Sequence, residues 1–266
     1  MILILIFIGF AVGAFGTLIG AGGGFILMPV LLLMYPNEKP EVLTAISLAI
    51  VFFNALSGSI AYMFKKRIHY RSALIFSIAS APGALLGAYT TKFIPRNQFE
   101  LIFGVLMLIL AIYLLFPRNE SLKKLKKNDS QYPVYKLIDF EGHEYSISYN
   151  MSVGILISAV VGFISSLLGI GGGIIHVPAL VNWLNFPVHI ATATSHGILA
   201  VMSAIGTAEH IQAGQLSQVW DKVLYLGVGV VGGAQLGAHF SNRVKGVWIM
   251  RALALGLLSV GIRFIF

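Results

Sequence analysis

Two short stretches hold the residues most able to do chemistry. They are "TLIGAGGGFILMP", from Thr17 to Pro29, and "SLLGIGGGIIHVP", from Ser166 to Pro178. The first sets Gly20, Gly22, Gly23 and Gly24 inside an apolar run, and the second sets Gly169, Gly171, Gly172 and Gly173 in the same pattern. Each glycine in a helix interior costs about 1 kcal/mol relative to alanine, so three in a row end a helix. A helix restarting after Gly24 or Gly173 points unbonded N–H groups and the positive end of its dipole back at the break. Glycine also lets a ligand approach the backbone closely. That combination suits a small anion. The competing role for membrane glycines is close helix packing, which is the reading for Gly83, Gly87, Gly233 and Gly237. A dinucleotide fingerprint fails on spacing, because Phe25 stands where the third glycine of G-x-G-x-x-G is needed and no βαβ context surrounds it.

Polar residues inside the apolar runs come next. Ser47 and Ser195 occupy equivalent places after the two glycine clusters, with Thr44, Thr192 and Thr194 nearby. Hydroxyls can bind a small oxyanion without a fixed charge, or simply bond helix to helix. His176 follows the second cluster by three residues and stands where the first half has Leu27. His196 directly follows Ser195 and stands where the first half has Leu48. Either imidazole can donate to an anion, carry a proton, or stay neutral on a backbone carbonyl. Asn54 and Gln235 are weaker candidates. Glu209, His210 and His239 fall near the ends of apolar blocks, where an interfacial position accounts for them, and Arg251 can snorkel to the surface.

No catalytic, metal-binding or cofactor-binding set emerges. H-E-x-x-H, G-x-S-x-G, a Walker motif and paired intramembrane carboxylates are all missing, and with no cysteine there is no thiol chemistry.

The elements that must position these residues are membrane helices. Of 266 residues 57% are hydrophobic and only 11% charged, far from a soluble domain, where about a quarter are charged. Apolar blocks run over 1–35, 42–64, 72–91 and 98–116, then over 151–184, 190–210, 223–242 and 247–266. Each is long enough to enter a bilayer as helix. The net charge of +8 sits in the short connectors, which reads as topology signals and not as a nucleic-acid surface. "MILILIFIGF" has no basic n-region and no cleavage site, so the first run is expected in the mature protein.

The order of blocks suggests a duplication. The glycine clusters and Pro29/Pro178 match at an offset of 149, "AISLAI" at Ala45 matches "ATSHGI" at Ala193, and "GALLGAY" at Gly83 matches "GAQLGAH" at Gly233. The expected divisions are a first membrane repeat 1–116, a linker 117–150, and a second repeat 151–266. Within the linker, "SLKKLKKN" is expected along a charged membrane surface. "YKLIDFEGHEYSISY" alternates around Glu141-Gly142 like a small β-hairpin. Lys65, Lys66, Arg67 and Arg71 with the linker hold 10 of the 18 Lys and Arg residues, which assigns that side to the cytoplasm.

Charge does not decide whether the repeats are parallel or inverted. Length does better. A continuous helix of 34 residues would be about 51 Å long against a hydrocarbon core of about 30 Å. A helix of about 18 residues, a break, and a half-helix of about 11 fit the bilayer better. The expected fold is therefore an all-α polytopic membrane bundle of two homologous repeats, inverted in preference to parallel, with glycine-broken helices or re-entrant segments.

The doubled "GAGGGFILMP" and "GIGGGIIHVP", the "AISL" and "ATSH" segments, and "GALLGA" and "GAQLGA" resemble the TauE/SafE family of sulfite and organosulfonate transporters. The resemblance spans the chain except for 117–150. It implies a polytopic inner-membrane carrier for sulfite, sulfoacetate or related sulfonates. Gly20, Gly22, Gly23, Gly24, Gly169, Gly171, Gly172 and Gly173 would be the substrate region, with Ser47 and Ser195 carried over less firmly. His176 and His196 are added from the residues alone, as first suspects for proton or ion coupling. The partners expected are a small anion, the bilayer and a coupling proton or cation, with no nucleic acid; a homo-oligomer stays open. An anion channel is the alternative, and an intramembrane enzyme a more distant one.

Overall fold

A computed structural model describes residues 2–115, 132–241 and 246–265. The basic stretch 121–128 lies outside the described residues. Five helices precede residue 116: α1 (Ile2–Ile19), α2 (Gly24–Met34), α3 (Pro40–Phe64), α4 (Tyr70–Thr91) and α5 (Arg96–Leu115). A hairpin follows, β1 (Val134–Ile138) and β2 (Glu144–Ser148), paired antiparallel. Five more helices complete the chain: α6 (Met151–Leu168), α7 (Gly173–Asn182), α8 (Val188–Gln212), α9 (Trp220–Phe240) and α10 (Gly246–Ile265). Seven of these, namely α1, α3, α4, α5, α6, α8 and α9, are long and apolar enough to cross a membrane. The protein is a multi-pass integral membrane protein. Helices α2 and α7, with 11 and 10 residues, reach only about 16 Å at 1.5 Å per residue and cannot cross.

Small residues fix how the long helices pack. A Cβ added to Gly229 or Gly233 of α9 would lie 2.0 Å from the carbonyl oxygen of Ile6 or Phe10 on α1. Going the other way, Gly9 and Gly13 of α1 meet the carbonyls of Leu226 and Val230. Both numbers rise together, so α1 and α9 run parallel. Helices α4 and α6 repeat the arrangement, with Gly83 and Gly87 against Ala159 and Phe163, and Gly162 against Ser80. Glycine at these positions lets backbones touch where any side chain would hold them apart. This is the packing role assigned from sequence to Gly83, Gly87, Gly233 and Gly237.

Helices α3 and α8 cross the centre in opposite directions. Gly58 of α3 meets His196 of α8, while Gly206 of α8 meets Leu48 of α3. Helices α5 and α10 are also antiparallel, with Phe103 on Phe264 and Leu108 on Gly261.

Helix ends locate the two short helices. Arg96, at the start of α5, donates to the carbonyls of Leu32, Tyr35 and Glu38. Lys222, at the start of α9, reaches Glu38 and the Tyr35 ring. The start of α1, parallel to α9, is therefore at the same end of the bundle as the finish of α2: the chain goes in along α1 and returns along α2. At the opposite end, Phe186 after α7 packs on Tyr149 just before α6, so α6 and α7 enter and return from there.

Candidate functional site

The two glycine breaks meet in the interior. Gly20, Gly22 and Gly23 have φ of 86°, 75° and 80°, and Gly169, Gly171 and Gly172 have 66°, 80° and 76°. Side chains rarely adopt this region, which is why glycine is required. Gly23 and Gly172 are the N-caps of α2 and α7, neither with a side-chain cap. All eight cluster glycines are buried. A Cβ at Gly24 would lie 2.7 Å from the carbonyl oxygen of Gly169, and one at Gly173 would lie 2.4 Å from that of Gly20. Backbone rests on backbone.

Hydroxyls stitch the breaks together reciprocally. Ser47 on α3 donates to the Gly169 carbonyl at 2.6 Å, and Ser195 on α8 donates to the Gly20 carbonyl at 3.2 Å. One turn earlier, Thr44 lies against Gly169 and Thr192 against Gly20. The hydroxyls of Thr44 and Thr192 are buried with no hydrogen-bond partner, as are Asn54 Nδ2 and Ser165 Oγ. Asn54 Nδ2 is 3.4 Å from where a Gly23 Cβ would stand, and Ser165 Oγ is 2.8 Å from where one on Gly172 would. Each helix start thus has an unbonded polar atom beside its N-cap. Buried polar atoms in folded proteins are overwhelmingly bonded, and here four stand unbonded around the two breaks.

The histidines have separate surroundings. His196 touches Thr192 O through Nδ1 and Thr17 Oγ1 through Nε2, both at 3.3 Å. Thr17 in turn donates to Asn54 Oδ1 at 2.7 Å, and Tyr62 donates to the Thr17 carbonyl at 2.8 Å. His176 contacts Ser158 of α6 at 3.3 Å, and its Nδ1 has no partner. His210 is fully buried and bonded to Gln215. Gln235 is committed to Ser57. Thr17 was not singled out by sequence, although it opens the first motif, because a lone threonine in a membrane helix is usually bonded to its own backbone.

A second polar region lies where the hairpin docks. Phe140 N donates to the Lys65 carbonyl, and the buried Arg67 pairs with Asp139 at 3.2 Å and Glu141 at 3.5 Å. Burial pushes the Asp139 carboxyl upward, but bonds from the His143 N–H, the Arg67 guanidinium and the Tyr145 hydroxyl outweigh it and hold the group below its ordinary range. Burial pulls the Lys65 ammonium down to about 8. Lys65, Arg67, Asp139, Phe140 and Glu141, with Gln235 and the exposed His239, line a cavity of about 680 Å³. Asp139, Glu141 and His143 present ligand atoms within 4.8 Å of one another, but the guanidinium already sits on both carboxylates, and the set does not suit a metal ion.

The sequence profile described as "Sulfite exporter TauE/SafE" matches residues 5–264. The chain belongs to the TauE/SafE family. Among relatives of this TauE/SafE protein, the probable membrane transporter protein YunE of Bacillus subtilis is 33% identical, over 99% of this chain and 97% of its own. A probable membrane transporter protein of Methanocaldococcus jannaschii is 24% identical over 97% and 93%. One of Xylella fastidiosa is 27% identical over 96% and 89%. No solved structure gives a significant match. Family and relatives together make the chain a membrane transporter.

Proposed function

We infer that this transporter is a secondary carrier, not an enzyme or a channel, for small sulfur-containing anions such as sulfite or related sulfonates. The anion binds between the two glycine breaks, and access alternates around them. The observation that carries this reading is the pair of helix starts meeting in the interior with four unbonded polar atoms around them. Two positive dipole ends with free N–H groups favour an anion over a cation or neutral solute. Family membership supports the sulfur oxyanion class.

Two homologous repeats, 1–116 and 151–266, related by inversion account for the packing. The pairs α3/α8 and α5/α10, matched in sequence order, are antiparallel, and α1/α9 and α4/α6 exchange partners between halves. Inverted repeats with broken helices provide two access states from one architecture. The hairpin shares its end of the bundle with Lys65, Arg67 and Arg71, which supports a cytoplasmic assignment for 117–150.

The test is counterflow exchange of sulfite in proteoliposomes. Trans-stimulated uptake is expected. Flux without counterflow would make the protein a channel, and no sulfite-dependent flux would remove sulfite from the reading.

A further inference from the structure

We propose that His196, Thr17 and Asn54 form a proton-operated switch that sets whether the first helix break offers the anion a donor or an acceptor. The proposal rests on the anion site described above.

Each group in the series has a fixed number of hydrogens to give. His196 Nδ1 faces the Thr192 carbonyl, which only accepts, so Nδ1 must hold a hydrogen. A neutral imidazole has no second N–H, and Nε2 would then accept from the Thr17 hydroxyl. Thr17 has one hydroxyl hydrogen. If it goes to Nε2, it cannot go to Asn54, and Asn54 must turn its amide so that Nδ2 donates to Thr17. Its carbonyl oxygen then faces Gly16 and Gly23, beside the start of α2.

Protonation at Nε2 reverses every bond in the series. Nε2–H donates to Thr17 Oγ1, Thr17 donates to Asn54 Oδ1, and the amide presents Nδ2 to the break. The contacts fit either series: Thr17 Oγ1 is 2.7 Å from one end of the Asn54 amide, and the other end stands unbonded beside Gly16 and Gly23, so the hydrogen count alone decides which end is nitrogen. The imidazolium also supplies a positive charge in the protein interior, where it attracts an anion more strongly than it would in water. Deprotonation withdraws the charge and turns an acceptor toward the anion, which favours release.

The imidazole is fully buried, and the groups packed around it are few. From α3, Tyr62 stands edge-on with ring centroids 5.4 Å apart, its hydroxyl hydrogen committed to the Thr17 carbonyl. Helices α1 and α6 contain no ionisable side chain. At the head of α4, the His69 backbone N–H bonds Thr194, with Arg67 and Arg71 flanking that turn. On α7, His176 is on Ser158. On α8 itself, His189 is about two turns earlier, and Glu209 and His210 lie near the far end. The second break has no such switch. The positions matching His196, Thr17 and Asn54 are Leu48, Ser166 and Met202.

The test is calorimetric titration of purified full-length protein with sulfite, at one pH, in buffers of different ionisation enthalpy. The slope gives protons taken up per anion bound. Wild type is expected to take up about one proton more than His196→Gln or Thr17→Val. Sulfite's own titration cancels in the difference, and thermal melting identifies a variant that has not folded. Equal proton counts in wild type and a folded variant that still binds overturn the switch and leave the anion site standing. If neither variant binds, wild-type affinity for methanesulfonate, whose charge is constant near neutrality, decides: it must strengthen as pH falls, and a flat profile overturns the switch. A wild type that binds neither anion overturns the site itself, and the switch with it.

Discussion

The two helix breaks share a backbone and differ in lining. At the first, Gly23 faces the Asn54 amide, wired through Thr17 to His196. At the second, Gly172 faces the Met202 thioether and Ser165. The reciprocal bonds of Ser47 and Ser195 and the unbonded Thr44 and Thr192 are common to both. Shared features hold the breaks together, and the differing ones give each a separate task. One break can respond to a proton, and the other presents a site whose charge is fixed.

The harshest challenge to this comparison strikes what the breaks share. Converting Gly22, Gly23 and Gly24 together to alanine, or Gly171, Gly172 and Gly173, should bring sulfite uptake to background from either side. Left-handed alanine costs about 1–2 kcal/mol per residue, and the Cβ atoms force the breaks apart. Normal uptake by either triple variant, folded, would remove the glycines from the substrate path. Next comes the difference itself. Asn54→Leu should weaken sulfite binding by tenfold or more, since a bond to a charged partner is worth about 1.5–3 kcal/mol, whereas Met202→Leu should stay within about twofold. Equal losses would make the two linings equivalent.

Smaller effects are expected at the reciprocal serines. Ser47→Ala and Ser195→Ala each remove one buried bond, about 1 kcal/mol, and should lower the melting temperature, the shorter Ser47 bond costing at least as much. The least effect near neutrality belongs to the ends of α3 and α8, where one turn, Lys65 to His69, is covered by the hairpin. Asp139 has its carboxyl held below the ordinary range. Its contribution is complete above about pH 4 and is lost as pH falls through the lower folded value. Melting curves between neutral and acid pH should show an acid loss in wild type that Asp139→Asn lacks.

Much of this arrangement could be read in the chain. Three glycines cannot continue a helix, and the helices fall on 2–19 and 24–34 because the sequence leaves no other division. Apolar length alone argues for chain reversal within the first block, and the Arg96 and Lys222 contacts put the finish of α2 at the end where α1 starts. The site was legible as backbone and less so as side chains. His176 and His196 looked alike as imidazoles near a break, yet one bonds Ser158 and the other Thr17. That depends on which face of α7 or α8 each occupies against its neighbours, which no local pattern encodes. Thr17 and Asn54 gain meaning only when α1, α3 and α8 are brought together.

The exchange of helices between halves bears on how the protein is made. Helix α4 meets α6 soon after the hairpin has been synthesised. Helix α1 leaves the ribosome first, yet the helix that covers its glycine face begins only at Trp220. Throughout most of translation that face lacks the helix that covers it in the finished protein. Insertion therefore closes this pair as a clasp does, with α9 reaching back to fasten α1. A nascent chain stalled before Trp220 would have one half of the clasp shut and the other open.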